Sequence, residues 1–139
     1  MRYLLDTNVI SELRRKTGSA NVKRWVAAQN VDDLTISVIT VIEIETGILR
    51  LKHRDELAAR KLTTWFENRV LKGFDGRILP LDLAAARRVA PLHVPDQAPQ
   101  HDALIAGAAL AAGLTVATRN TKDFTRTGVQ CINPWEIDL

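Results

Sequence analysis

Met1-Arg2-Tyr3-Leu4-Leu5-Asp6-Thr7-Asn8 decides how the rest of the chain is read. The short apolar run Tyr3-Leu4-Leu5 stops abruptly on Asp6 and gives way to a polar opening that continues as a helix through Val9, Ile10 and Leu13. That combination describes a buried strand followed directly by a helix. Asp6 then stands at the strand's C-terminal end. Ligands of open parallel α/β sheets bind in the crevice beyond those ends, so a carboxylate placed there is aimed at a site. Helix capping is the competing account, because Asp is a favoured N-cap residue.

Outward from this stretch, strands and helices alternate. Gly18-Ser19 breaks the first helix, and Val22, Trp25 and Val26 give a second helix its apolar stripe, with Trp25 in the core. Asp32-Asp33 mark a turn, and Leu34, Ile36 and Val38 alternate as a second strand. A helix starting near Thr40 follows, with Ile39, Ile42, Ile44, Ile48 and Leu49 on its apolar face. Glu43 falls in its first turn, where the helix dipole favours a negative charge and where it can face Asp6 across one edge of the sheet. Glu45, about 200° further around the helix, is expected in solvent.

Arg50 to Lys72 reads as a further long helix or hairpin partner, whose basic residues form a solvated face or, alternatively, an RNA-backbone track. Gly73 and Gly76 end it, Ile78, Leu79 and Leu81 make a third strand around Pro80, and Asp82 caps a helix through Leu83, Ala86 and Val89. Pro91, Pro95 and Pro99 define an extended loop. Gln100 to Ala112 is an alanine-rich helix that must pack closely, with Asp102 at its start and Gly113 at its end. Leu114 to Ala117 is a fourth strand, Thr118 to Phe124 follows it, and Val129 to Ile132 is a short fifth strand before Asn133-Pro134-Trp135. The expectation is an α/β fold with one parallel sheet covered on both faces.

With 139 residues, 46% hydrophobic and 25% charged, the chain is expected to be one domain spanning 1–139. No segment approaches the roughly 20 apolar residues that span a bilayer, which argues against a membrane protein. No secretory leader is evident, and the lone Cys131, acting as a small buried hydrophobe, fits a reducing compartment, so a cytoplasmic location is expected. The net charge of +3 and pI near 9.4 are compatible with a nucleic-acid partner without indicating one.

Asp6, Glu43, Asp102 and Asp123 are far apart in sequence, yet each falls just past a strand or at a helix start on the same rim. Capping explains each singly but not their convergence. Two unit charges about 4 Å apart repel by roughly 4 kcal/mol at an effective dielectric near 20, so gathered carboxylates imply protonation or a bound cation. Oxygen ligands without a His or Cys cluster suit Mg²⁺ or Mn²⁺.

These residues sit in blocks that resemble the PIN-domain ribonucleases, and within them the VapC/FitB branch of toxins from type II toxin–antitoxin pairs. The blocks are Leu4 to Glu12, Ser37 to Ile44 with Gly47, Gly76 to Pro80, His101 to Ala106, Leu114 to Phe124 and Asn133 to Trp135, so the resemblance covers essentially the whole chain. It implies a three-layer α/β/α fold with strand order 3-2-1-4-5. It also implies Mg²⁺-dependent hydrolysis of RNA leaving 5′-phosphate and 3′-hydroxyl ends. Asp6, Glu43 and Asp102 match the family's acidic positions as catalytic and metal-binding residues, whereas many relatives carry Asp where this chain has Asn120, so either Asp123 supplies the fourth charge or Asn120 contributes a neutral oxygen. Asn8 and Thr118 match polar positions that hold water or carboxylates, and Arg14, Arg119 and Lys122 are candidates for RNA contact. The implied partners are an inhibiting antitoxin that binds operator DNA and a second copy of the chain.

Rival readings use the same residues. A haloacid-dehalogenase-like phosphatase needs a second Asp where this chain has Asn8, and a phospho-receiver needs paired acids after the first strand. A P-loop is absent. A PIN-like RNA-binding or scaffold module without chemistry draws its support from Asn120, and metal-dependent cleavage by the purified chain separates it from a nuclease.

Overall fold

The computed structural model describes residues 1–137. A five-stranded sheet at its centre comprises β1 (Tyr3–Leu5), β2 (Leu34–Ser37), β3 (Ile78–Leu79), β4 (Thr115–Ala117) and β5 (Cys131–Ile132), in the order β3-β2-β1-β4-β5. Every pairing is parallel. Leu4 lies opposite both Thr35 and Val116, and the Asp6 amide donates to the Ala117 carbonyl at 2.9 Å, extending the ladder one residue past β1. The strand order reverses between β1 and β4, which opens the crevice into which Asp6 projects.

Helices α1 (Thr7–Arg14), α2 (Ala20–Ala27), α3 (Val38–Lys52), α4 (Glu56–Trp65), α5 (Leu83–Val89), α6 (Gln100–Ala112) and α7 (Thr121–Phe124) complete the fold. Tyr3 and Leu5 pack into a cluster with Val9, Ile10, Trp25, Ile44, Ile48 and Phe66, while Leu4 packs with Ile105, Ala109, Val116 and Phe124. Alternate residues of one strand therefore feed two cores, as a parallel sheet covered on both faces requires. The alanine-rich helix packs closely, as its composition predicts: a Cβ on Gly107 of α6 would collide with the Val89 side chain and stand 3.1 Å from the Ala85 carbonyl of α5. Gly113 ends α6 with a φ of 69°, a left-handed conformation that suits glycine.

Several boundaries differ from the expected ones. Strand β2 does not alternate: all four of its residues are buried, because helices cover both faces, and Val38 belongs to α3. The Ser37 side chain accepts from the Ile39 amide at 3.0 Å, so the helix starts before Thr40 and Glu43 moves from the first turn into the second. Ile42 and Leu49 are exposed, because the buried face of α3 runs through Ile39, Thr40, Ile44 and Ile48. The Arg50–Lys72 segment divides: Arg50 to Lys52 end α3, Asp55 caps α4 through the Ala58 amide, and a wider helical turn over Phe66–Leu71 follows. Asp82 caps α5 as expected, Pro91 joins a short 3-10 turn at Ala90–His93, and the outer strands shorten to Ile78–Leu79 and Cys131–Ile132. Cys131 is half-buried. Among the described residues no helix is long and apolar enough to cross a membrane.

Candidate active site

Asp6 leaves β1 in an extended conformation and caps α1, its Oδ1 accepting from the Thr7 amide at 2.8 Å. Capping accounts for one oxygen only. Its Oδ2 accepts from the Thr118 hydroxyl at 2.8 Å. Thr118, fully buried just beyond β4, also accepts from the Asn8 amide group at 3.3 Å and from the Asn120 backbone amide at 3.0 Å. One donor and two acceptor positions exhaust a hydroxyl, so Thr118 is locked and locks Asp6 with it. Asn8 completes the tie by accepting from the Arg119 amide at 3.4 Å.

Glu43 reaches the same edge from α3. Its Oε1 accepts from the Thr7 hydroxyl at 3.0 Å, and that hydroxyl in turn meets Thr40 Oγ1 at 3.0 Å. Its Oε2 lies 3.7 Å from His101 Nδ1. Asp102 stands in the first turn of α6. Asp6, Glu43, Asp102 and Asn120 all line one cavity of about 430 Å³, together with Thr7, Asn8, Ser11, Glu12, Arg15, Arg119 and Trp135.

The electrostatics mark the cluster as crowded. Burial pushes the Asp6 carboxyl above its ordinary range against the lowering effect of its hydrogen bonds, and the charges of Glu43 and Asp123 push it further. Burial likewise raises Asp102 to about 6, with added repulsion from Asp6, Asp123 and Glu43. Among the described residues no three Asp, Glu, His or Cys side chains already stand at mutual chelating distance. A hydrated Mg²⁺, held through one or two carboxylates with water in its remaining positions, does not need them to. The all-oxygen donor set and the mutual repulsion fit such a cation.

Asp123, exposed on α7, does not line the cavity, although its charge is felt by both Asp6 and Asp102, whereas Asn120 lines it directly. Arg119 reaches the cavity. Arg14 instead stands over the Trp65 ring at 5.9 Å in the groove between α1 and α4, and Lys122 is exposed outside the cavity. Thr7, Ser11, Glu12 and Trp135, which fall inside the resemblance blocks, and Arg15 line the cavity without having been singled out as site residues. The spacing of Asn8, Ser11, Glu12 and Arg15, one polar stripe along α1 pointing at the cavity that Asp6 enters, was the available signal.

An α/β domain with a parallel 3-2-1-4-5 sheet and an acidic cleft at its switch point is the class that fold and site define. The chain belongs to the PIN-domain family, matched over residues 3–130, and to its VapC/FitB branch. It is 40% identical to the plasmid stability protein StbB of Pseudomonas syringae pv. tomato, over 96% of this chain and 98% of that one. It is 39% identical to VapC ribonuclease Y4jK of Sinorhizobium fredii (96% and 97% covered) and 38% identical to toxin FitB of Neisseria gonorrhoeae (95% and 97% covered). The crystal structure of FitAcB from Neisseria gonorrhoeae superposes with a TM-score of 0.89 at 34% identity, covering 97% of this chain and 99% of that one. A structure of FitAB bound to an IR36 DNA fragment gives 0.87 at 33% identity, covering 99% and 98%.

Proposed function

We propose that this chain is a metal-dependent endoribonuclease acting in the cytoplasm as the toxin of a type II toxin–antitoxin pair. The observation that carries the reading is the convergence of Asp6, Glu43 and Asp102, from three separate elements, on one cavity at the C-terminal rim. A hydrated Mg²⁺ or Mn²⁺ ion, held directly by one or two of Asp6, Glu43 and Asp102 and through water by the others, with Asp123 or Asn120 at the margin, would supply a water of lowered pKa and neutralise charge on the phosphate and the leaving 3′ oxygen. The chain's own residues do the rest. Thr118 and the Thr7 amide fix the Asp6 carboxylate, and Thr7 with Thr40 fixes Glu43. Asp102, with Asp123 the alternative, orients the attacking water.

Relatives named VapC ribonuclease and toxin FitB support the activity and the toxic role, and the structure of FitAB bound to a DNA fragment supports a complex that engages DNA. An antitoxin Arg or Lys entering the acid cluster would compete with the metal, while its apolar residues cover the groove. A homodimer would hold two such antitoxins in register with a palindromic operator. Induced expression of the chain is expected to arrest growth and to leave 5′-phosphate ends in cellular RNA. Asp6→Asn, which removes a charge with little change of shape, is expected to abolish both. Growth arrest and cleavage that persist in a folded Asp6→Asn protein would overturn the reading in favour of a plain helix cap.

A further inference from the structure

A second group of residues lining the cavity is built differently from the acids. Glu12 on α1 is buried, and its carboxylate is committed: Oε2 accepts from Trp135 Nε1 at 3.0 Å and from the Ser19 amide at 3.3 Å, while Oε1 meets the Arg15 guanidinium at 3.4 Å. Its carboxyl is held below the ordinary range, first by the Trp135 bond and then by the Ser19 bond, Arg15 and Arg119. The acids that crowd Asp6 and Asp102 do not include it. This group therefore carries two cations against one carboxylate.

Trp135 is fixed at both ends. Its indole N–H donates to Glu12, and its backbone amide donates to Asn133 Oδ1 at 2.9 Å. The Arg119 guanidinium lies over the indole ring, 5.4 Å from its centroid. Its backbone is pinned on one side by Asn8 and on the other by Asn133, whose side chain donates to the Arg119 carbonyl at 3.4 Å. A guanidinium stacked on an aromatic face keeps its N–H edge available for an anion.

Resting on the ribonuclease reading, we infer that Glu12 and Trp135 are positioning residues for the substrate: Glu12 anchors the indole, the indole orients Arg119, and Arg119 clamps an RNA phosphate next to the one that is cut. The acids serve the reacting phosphate and this group serves its neighbour, so the two groups fix the strand at successive points. Glu12, although it shares the cavity with Asp6, is not part of the metal centre.

The test has two readouts on the full chain: steady-state cleavage of a single-stranded RNA with Mg²⁺, and binding of the same labelled RNA in EDTA by fluorescence anisotropy across a salt series. Arg119→Ala is expected to raise KM and the RNA Kd about tenfold with kcat unchanged, the loss of one charge-assisted contact. It should also flatten the salt slope by about 0.7, the increment for one phosphate on a single strand. Trp135→Leu should shift both readouts the same way, and Trp135→Phe and Glu12→Gln, which disturb folding least, should do so more weakly. None should add to Arg119→Ala, because all act through that guanidinium. Arg119→Lys should recover the salt slope but only part of the affinity. A wild-type chain that neither binds nor cuts RNA overturns the ribonuclease reading and the clamp together. If the wild type cuts RNA while Arg119→Ala keeps its KM and salt slope, or while Trp135→Leu and Arg119→Ala add fully, the clamp alone is overturned.

Discussion

Asp102 and Glu12 line the same cavity, yet their surroundings push their carboxyls in opposite directions. Asp102 is raised from 3.8 to about 6 by burial and neighbouring acids, so the folded, metal-free chain binds a proton more tightly than the unfolded chain. Its ionised form opposes folding in full above about pH 6; the opposition shrinks as pH falls below that value and is gone only below the unfolded value of 3.8. Glu12 is lowered, so its stabilisation is present above the unfolded carboxylate range and is lost as pH falls through the folded value. In EDTA, a melting series is expected to show a higher Tm near pH 5.5 than near pH 7.5, with a decline at more acid pH. Saturating Mg²⁺ should raise Tm at pH 7.5 and do so less at pH 5.5, where protons compete for the acids. A Tm that climbs steadily from pH 5.5 to 7.5 in EDTA contradicts the crowding of the acids.

At the scale of elements, the central strands were legible because a buried parallel strand is a plain apolar run; Asp6 was legible as the change of polarity that ends one, and Glu43 and Asp102 as acids near helix starts, whereas Asp123, read with them, lies outside the cavity. Tyr3-Leu4-Leu5-Asp6 is the clearest case. The start of α3 was not legible: Val38 continues the alternation of Leu34 and Ile36 and Thr40 offers a rival start, so only the bond that the Ile39 amide donates to Ser37 reveals Ser37 as the cap. That misplacement put Glu43 in the wrong turn, although it did not change the rim on which Glu43 lies. Trp135 and Glu12 were hidden for another reason, since their contact joins residues 123 positions apart and leaves no local periodicity to read. Two element-scale outcomes follow from the packing. Gly107→Ala should destabilise the fold by about 1–3 kcal/mol in urea unfolding, because the added methyl meets Val89 and the α5 backbone. Ser37→Ala should cost about 1 kcal/mol through loss of the cap, and should lower nuclease activity by loosening the helix that carries Glu43.

For the whole molecule, the sheet order explains why residues as distant as Asp6, Glu43 and Asp102 share one cavity: β1 lies centrally, α3 follows its neighbour β2, and α6 leads into its other neighbour β4. The same rim is where an antitoxin segment would block RNA. Light scattering is expected to report a dimer of the isolated chain, and a larger assembly with co-expressed antitoxin in which nuclease activity is silent. A strictly monomeric chain whose activity is indifferent to saturating antitoxin would contradict both expectations. The claim on which everything else depends is that the rim acids form one cation site. Calorimetric titration of Mn²⁺ into the wild-type, Asp6→Asn and Asp102→Asn proteins tests it most directly. A shared site predicts saturable binding to the wild type, weakened more than about tenfold by either substitution alone, the loss expected when one charged ligand is removed. Folded Asp6→Asn and Asp102→Asn proteins that bind Mn²⁺ as tightly as the wild type would show that the acids are separate helix-end residues and not one centre.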